Sequence, residues 1–137
     1  MQLVVEAIFE PTFLDCSHGF RPNKGCHTAL KTVRSDFKSI NWVIEADIEK
    51  CFDKIDHNVL LRILSERIQC EKTLALFKSA LIAGYIDLGK FVLSKEGTPQ
   101  GSMVSPVLCN IYLHKLDLLM VSIINEHNKG QKRKATK

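Results

Sequence analysis

Several common signatures are missing from this chain. No Cys-x-x-Cys pair occurs in the 137 residues, and the five cysteines are odd in number and widely spaced. This pattern argues against a disulfide framework and favours reduced thiols in a reducing compartment. No uncharged apolar run approaches the length of a membrane span, so no membrane partner is expected. The first residues, with an early Glu6 and no basic start, resemble neither a secretory signal nor an Arg-rich transit peptide.

Acidic residues are missing from the last part of the chain. Residues 129–137 hold only basic charges: Lys129, Lys132, Arg133, Lys134 and Lys137. The whole chain has 19 basic and 15 acidic residues, so residues 1–128 carry 14 against 15 and are close to neutral. We therefore expect a folded domain over residues 1–128 and a flexible basic tail over 129–137. Lys132, Arg133 and Lys134 are candidate phosphate contacts of the salt-sensitive kind, and a solvated tail without a ligand is the alternative.

Hydrophobic periodicity predicts a mostly helical chain with a small sheet. Helices are expected over 3–14, 27–37, 57–68, 72–83 and from Ser105 to the region of Asn128 and Gly130. The run from Trp42 to Ile48 is β-branched and aromatic, which predicts a strand, and residues 85–93 predict a hairpin. The sequence therefore predicts an α+β fold in which a small antiparallel sheet is packed with helices.

Asp47 is the principal candidate for metal chemistry because it ends the predicted strand. Transfer of a nucleotide to a growing chain needs divalent metal, and Mg²⁺ takes oxygen ligands with one or two protein carboxylates. The backbone carbonyl of Ile48 could add another oxygen. Two such ions, about 4 Å apart, would clamp the attacking and leaving oxygens. The alternative is that Asp47 only ends a strand or caps a helix.

Three further residues form a candidate nucleotide-binding set. Phe52 follows the predicted strand, where its ring could pack under a sugar, although a core aromatic is the alternative. In Pro99-Gln100-Gly101, proline fixes a turn and glycine allows close approach of a ligand to the backbone. Gln100 offers a donor and an acceptor to a nucleotide, and the helix N-terminus that follows favours negative charge.

The loop over residues 15–25 carries two weaker signals. Arg21, in Gly-Phe-Arg-Pro, is a candidate contact for RNA phosphate, or it forms an internal pair. The residues alone leave both alternatives open. Cys16-x-His18 and Cys26-His27 could surround zinc, but their spacing is not that of a standard finger, so no zinc site is predicted.

Three segments together resemble a known family. Residues 18–30 (HGFRPNKGCHTAL), 47–57 (DIEKCFDKIDH) and 97–113 (GTPQGS through NIYL) are similar, in order, to the second, third and fourth sequence blocks of group II intron reverse transcriptases. The resemblance implies part of a right-hand polymerase fold, the fingers and upper palm. It also implies that Asp47 is the first Mg²⁺ ligand, that Phe52 senses the sugar, and that Gln100 contacts the incoming nucleotide.

The resemblance is incomplete in two places. No Asp-Asp pair occurs, so the Tyr-x-Asp-Asp block has no counterpart, and neither has the earlier basic block. We therefore expect a truncated RNA-directed DNA polymerase that is inactive alone. One alternative is half of a split reverse transcriptase, with a second polypeptide supplying the rest; another is an RNA-binding, maturase-like splicing factor. The expected location is the mitochondrion, with the chloroplast or the bacterial cytoplasm as alternatives.

Overall fold

The computed structural model describes residues 1–87, 90–92, 96–98 and 102–134. These ranges contain five α-helices: α1 (Gln2–Phe9), α2 (Cys26–Asp36), α3 (His57–Ser65), α4 (Glu71–Ile82) and α5 (Ser105–Lys134). Short 3₁₀ turns, Glu10–Thr12 and Phe37–Ser39, follow α1 and α2. The two strands, β1 (Tyr85–Asp87) and β2 (Lys90–Val92), pair antiparallel with Ile86 opposite Phe91.

The predicted α+β fold is wrong. The predicted strand over residues 42–48 forms no regular element, and the side chains of Trp42 and Ile44 are 90% and 94% exposed. A strand needs a hydrogen-bonded neighbour and a covered face, and the described residues give this run neither. Within the described ranges every regular element is a helix, apart from the paired strands β1 and β2. A small sheet packed with helices is therefore not the architecture.

The hydrophobic core lies where α1, α3 and α4 meet the first half of α5. Its most buried large side chains come from α1, α3, α5 and the segment just before α3. They are Val5, Ile55, Leu60, Leu64, Leu108 and Ile111. Phe77 and Leu81 complete it from α4. Helix α3 sits at the centre because its apolar side chains repeat at helical spacing. Its start is fixed by the Asp56 carboxylate, which accepts a hydrogen bond from Val59 N at 2.9 Å. Asp56 thus marks the start of α3.

Helix α5 is longer than predicted. It continues through Gly130 to Lys134, because one glycine costs a helix only about 1 kcal/mol relative to alanine and good helix formers follow it. The stretch Ser105–Lys129 is long and apolar enough to cross a membrane by length and composition alone, which the sequence prediction of no membrane-length run missed. Part of that apolar character serves the core, since Val107, Leu108 and Ile111 are buried among the other helices.

The loop between α1 and α2 is held by one buried guanidinium. The Arg21 side chain is 6% exposed and lies 2.9 Å from a Glu10 carboxylate oxygen. It also donates to the carbonyls of Leu14 and Ser17, at 2.7 and 2.8 Å, and its guanidinium lies 5.3 Å from the centre of the Phe13 ring. These contacts satisfy a charge removed from water, which is why the loop has a defined course without regular structure.

Replacing Arg21 is expected to destabilise the fold. Arg21→Ala leaves the Glu10 carboxylate and two carbonyls without their donor, so the free energy of unfolding should fall by about 3 kcal/mol. Urea denaturation followed by circular dichroism measures this. Lys24→Ala is the matched control in the same loop, because Lys24 pairs with a fully solvated Asp15, and it should cost no more than about 0.5 kcal/mol. Equal losses in the two variants would contradict the structural role of Arg21.

Candidate functional site

Asp47 and Ile48 lie on an exposed segment between the turn at Phe37–Ser39 and α3. The Asp47 carboxylate has no hydrogen bond or ion pair with any other described residue, so it can accept a ligand. The described residues contain no group of three or more His, Cys, Asp or Glu side chains that could hold a metal ion. The fit to Mg²⁺ is therefore partial: this part of the chain supplies one carboxylate, whereas a two-ion site needs more.

A tight turn after Asp47 sets the position of Phe52. Lys50 adopts a positive φ of 53°, and its carbonyl accepts hydrogen bonds from Asp53 N at 2.9 Å and Lys54 N at 3.1 Å. A non-glycine residue in this region carries local strain, which persists only where surrounding contacts fix it. The turn leaves Phe52 half-buried on the edge of the core.

The segment at Gly97 and Thr98 docks against this turn through its backbone. Thr98 N donates to Phe52 O at 2.8 Å, and Gly97 N donates to Ile55 O at 2.7 Å. His57 adds a third bond, because its Nε2 lies 2.6 Å from Gly97 O. A carbonyl only accepts, so Nε2 carries the proton. We call this set of three bonds the Gly97 clasp. It fixes the residues just before Pro99 beside Phe52.

Gly97 is required by the geometry of the clasp. Its φ is +81°, a conformation that side chains rarely adopt, and a Cβ at this position would lie 2.6 Å from the backbone oxygen of Asp53. Backbone atoms cannot move aside as a flexible side chain can. The close approach of the two segments therefore depends on the absence of a side chain at residue 97.

The first of the three family-like segments also reaches Phe52. The rings of Phe20 and Phe52 meet edge to face, with centroids 6.2 Å apart and planes at 84°. Beside them, Asn110 of α5 donates to Gly19 O at 2.8 Å. Phe52 thus contacts the loop before α2 through its ring and the Gly97 segment through its carbonyl.

The remaining predicted site residues have different placements. The Arg21 side chain is buried within its own loop, where it pairs with the internal partners described above. Its RNA-binding role stays a prediction. Gln100 and Gly101 lie outside the described residues. Of Lys132, Arg133 and Lys134, the structure describes only the helical backbone.

Sequence reasoning missed two residues that build this site. His57 follows the helix cap and is 8% exposed, but nothing in a sequence distinguishes a buried histidine that binds a distant carbonyl. Gly97 has no local signature beyond its place just before the Pro-Gln-Gly segment. A glycine two residues before a proline is a turn signal, but its contact with Asp53 spans more than forty residues and has no local signature.

Gly97→Ala is expected to break the clasp. The positive φ and the contact with Asp53 O should together lower the free energy of unfolding by about 2 kcal/mol or more. Gly19→Ala is the matched control, because a Cβ there meets no atom within 4 Å. Urea denaturation of both variants measures the difference. A loss at Gly97 no greater than at Gly19 would show that the close approach does not occur.

Comparisons with known proteins all point to one family. The family model for reverse transcriptase (RNA-dependent DNA polymerase) matches residues 1–126. A protein of Schizosaccharomyces pombe, named as an uncharacterized 91 kDa protein in a cob intron, is 45% identical over 126 residues, which are 92% of this chain and 16% of that protein.

Two further relatives have more informative names. The group II intron-encoded protein LtrA of Lactococcus lactis is 43% identical over 123 residues, 90% of this chain and 20% of that protein. Nuclear intron maturase 1, mitochondrial, of Arabidopsis thaliana is 32% identical over 99 residues, 72% of this chain and 14% of that protein. The chain thus spans a fifth or less of the length of these relatives. It belongs to the reverse transcriptase family and is homologous to the group II intron-encoded proteins.

Proposed function

We propose that Asp47, Ile48, Phe52, Gln100 and Gly101 form part of an RNA-directed DNA polymerase site of the group II intron type. The Gly97 clasp is the observation that carries the proposal. It joins the segment containing Asp47 and Phe52 to the segment leading into Pro99-Gln100-Gly101, although about fifty residues separate the two in sequence. A nucleotide-binding role for both segments requires such proximity, and three hydrogen bonds supply it.

Each residue has a distinct proposed task. Asp47 provides a solvent-facing carboxylate to a divalent ion, with the Ile48 carbonyl as a second oxygen. Magnesium, when bound, would neutralise triphosphate charge. Phe52 presents its ring to the sugar of the incoming nucleotide, and its position is set by the strained turn at Lys50 and by contact with Phe20. Gln100 and Gly101 contact the nucleotide beside it, with backbone approach allowed by glycine.

The other catalytic carboxylates must come from residues outside these 137, since the sequence contains no Asp-Asp pair. We therefore expect the chain by itself to be inactive, because removing members of a catalytic unit abolishes nearly all activity. Exposed apolar side chains support contact with further protein, whether later in the same polypeptide or in a second one. They include Ile44, which is 94% exposed, and Leu119, which is 55% exposed.

A chimera tests the polymerase proposal directly. The 123 matching residues of the Lactococcus relative would be replaced by those of this chain, and primer extension on an RNA template would be measured with Mg²⁺, with the unaltered relative as reference. We expect the chimera to extend the primer, and Asp47→Ala to reduce extension at least about a hundredfold. Glu45→Ala, two residues away on the same exposed segment, is the control and should leave extension unchanged. A folded chimera whose activity survives Asp47→Ala would refute the proposed role.

RNA binding without polymerisation is the second candidate function. The observation that favours it is the run of five basic residues with no acid over residues 129–137. Family membership already implies RNA as a partner class, and a maturase-like role would use the same contacts without nucleotide transfer. The proposed location is the mitochondrion, supported by the relative whose name places it there, and the bacterial cytoplasm is the alternative that the Lactococcus relative supports.

The basic residues allow a quantitative test of this second candidate. Binding of a structured RNA would be measured by filter retention at 50 and 200 mM salt, with the whole chain and with residues 129–137 removed. If three to five of these cations contact phosphates, deletion should weaken binding at 50 mM salt and reduce the magnitude of the slope of log affinity against log salt by about 3 to 4.5. An unchanged slope would exclude residues 129–137 from the RNA contact.

A further inference from the structure

Two cysteines face each other beneath the candidate site. Cys51 lies on the turn after Asp47, and Cys109 lies in the second turn of α5. Their sulfur atoms are 3.3 Å apart, although 58 positions separate them in sequence. Cys109 is 5% exposed and belongs to the core, whereas Cys51 is half-buried and packs on the edge of that core. One thiol is therefore reachable from solvent and the other is behind it.

The other cysteines have no such neighbour. Cys16, Cys26 and Cys70 are exposed, and all five cysteines are free thiols. The core provides a reason for the pairing, since a thiol is a small apolar group with weak hydrogen-bonding capacity and is well suited to a buried position. Burial in the core also limits the reactivity of Cys109, because it raises the pKa of that thiol to about 12 and keeps it protonated at neutral pH.

We propose that Cys51 and Cys109 form an oxidation site, at which a two-electron oxidant such as hydrogen peroxide converts the thiol pair into a disulfide. The sulfur atoms are already in contact, so bond formation requires them to approach by little more than 1 Å, to about 2.05 Å. Cys51, at the surface, is the thiol that meets the oxidant. Cys109 is the resolving thiol.

The chemistry proceeds in two balanced steps. Cys51 loses its proton, and the thiolate attacks one oxygen of hydrogen peroxide. The O–O bond breaks, Cys51 becomes a sulfenic acid, and the departing hydroxide takes up the proton and leaves as water. Cys109, on losing its proton, then attacks the Cys51 sulfur, the S–O bond breaks, and a second water leaves. In total, two thiols lose two electrons and two protons, and one peroxide is reduced to two waters. The scarcity of Cys109 thiolate makes the second step the slower one.

The disulfide would join the turn that positions Phe52 to α5. A covalent link at this point would also close a long loop in the unfolded chain. Oxidation should therefore raise the melting temperature and reduce the mobility of the turn. The inference concerns the thiol pair itself, and it does not require that the proposed polymerase function is correct.

Peptide mapping tests the proposal on the unaltered chain. Purified protein would be treated with one to five molar equivalents of hydrogen peroxide, unfolded in iodoacetamide and digested with trypsin without reduction. We expect the main product to be a peptide containing Cys51 linked to one containing Cys109, with a mass two hydrogens below their sum and with loss of the link in dithiothreitol. The melting temperature should rise on oxidation and return on reduction.

Variants separate this pair from general thiol oxidation. Cys51→Ser and Cys109→Ala should each abolish the link and the rise in melting temperature, whereas Cys70→Ser, at an exposed thiol, should leave both unchanged. Because a core variant could unfold, the wild-type peptide map decides the matter by itself. Full alkylation of both Cys51 and Cys109 after oxidation, or linkage confined to Cys16, Cys26 and Cys70, would overturn the proposal.

Discussion

The arrangement of the candidate site depends on the hydrogen bond between His57 and the Gly97 carbonyl. Two backbone bonds, from Thr98 N to Phe52 O and from Gly97 N to Ile55 O, join the same two segments beside it. His57 is buried at the start of α3, the central helix of the core. It therefore anchors to that helix a segment that has no regular structure of its own. The absence of a side chain at Gly97 permits the approach, and the buried imidazole holds it. This explains how residues far apart in sequence are held beside one another.

The chain has two unequal surfaces. Around α3 and the first half of α5 the apolar side chains are buried, and the loop at Arg21 closes one side with a satisfied charge. By contrast, the segment over residues 40–48 and the second half of α5 expose large apolar side chains, among them Trp42 and Leu119. Exposed apolar surface of this extent is typical of a face that contacts other protein. Asp47 stands on this open side, which is consistent with a site completed by residues outside this sequence.

Local patterns gave most of the helices and little of the tertiary arrangement. The helices were predictable because their periodicity and caps, such as Asp56, are written in adjacent residues. The strand over residues 42–48 was predicted wrongly, because β-branched residues express a preference that only a neighbouring strand can satisfy. Asp47 and Phe52 were candidates because of their place at and after the predicted strand, the family resemblance implied their roles, and those roles remain predictions. Contacts such as His57 with Gly97 and Cys51 with Cys109 could not be read from the sequence, because each joins residues at least forty positions apart.

A double-mutant cycle between His57 and Gly97 tests the clasp most directly. The free energies of unfolding of the wild type, His57→Leu, Gly97→Ala and the double variant would be measured by urea denaturation. If both residues hold the same segment, the second substitution removes little once the first has released it. The sum of the losses of unfolding free energy in the two single variants should then exceed the loss in the double variant by at least about 1 kcal/mol. Losses that add to within about 0.5 kcal/mol would show that the two residues act independently, and would contradict the account.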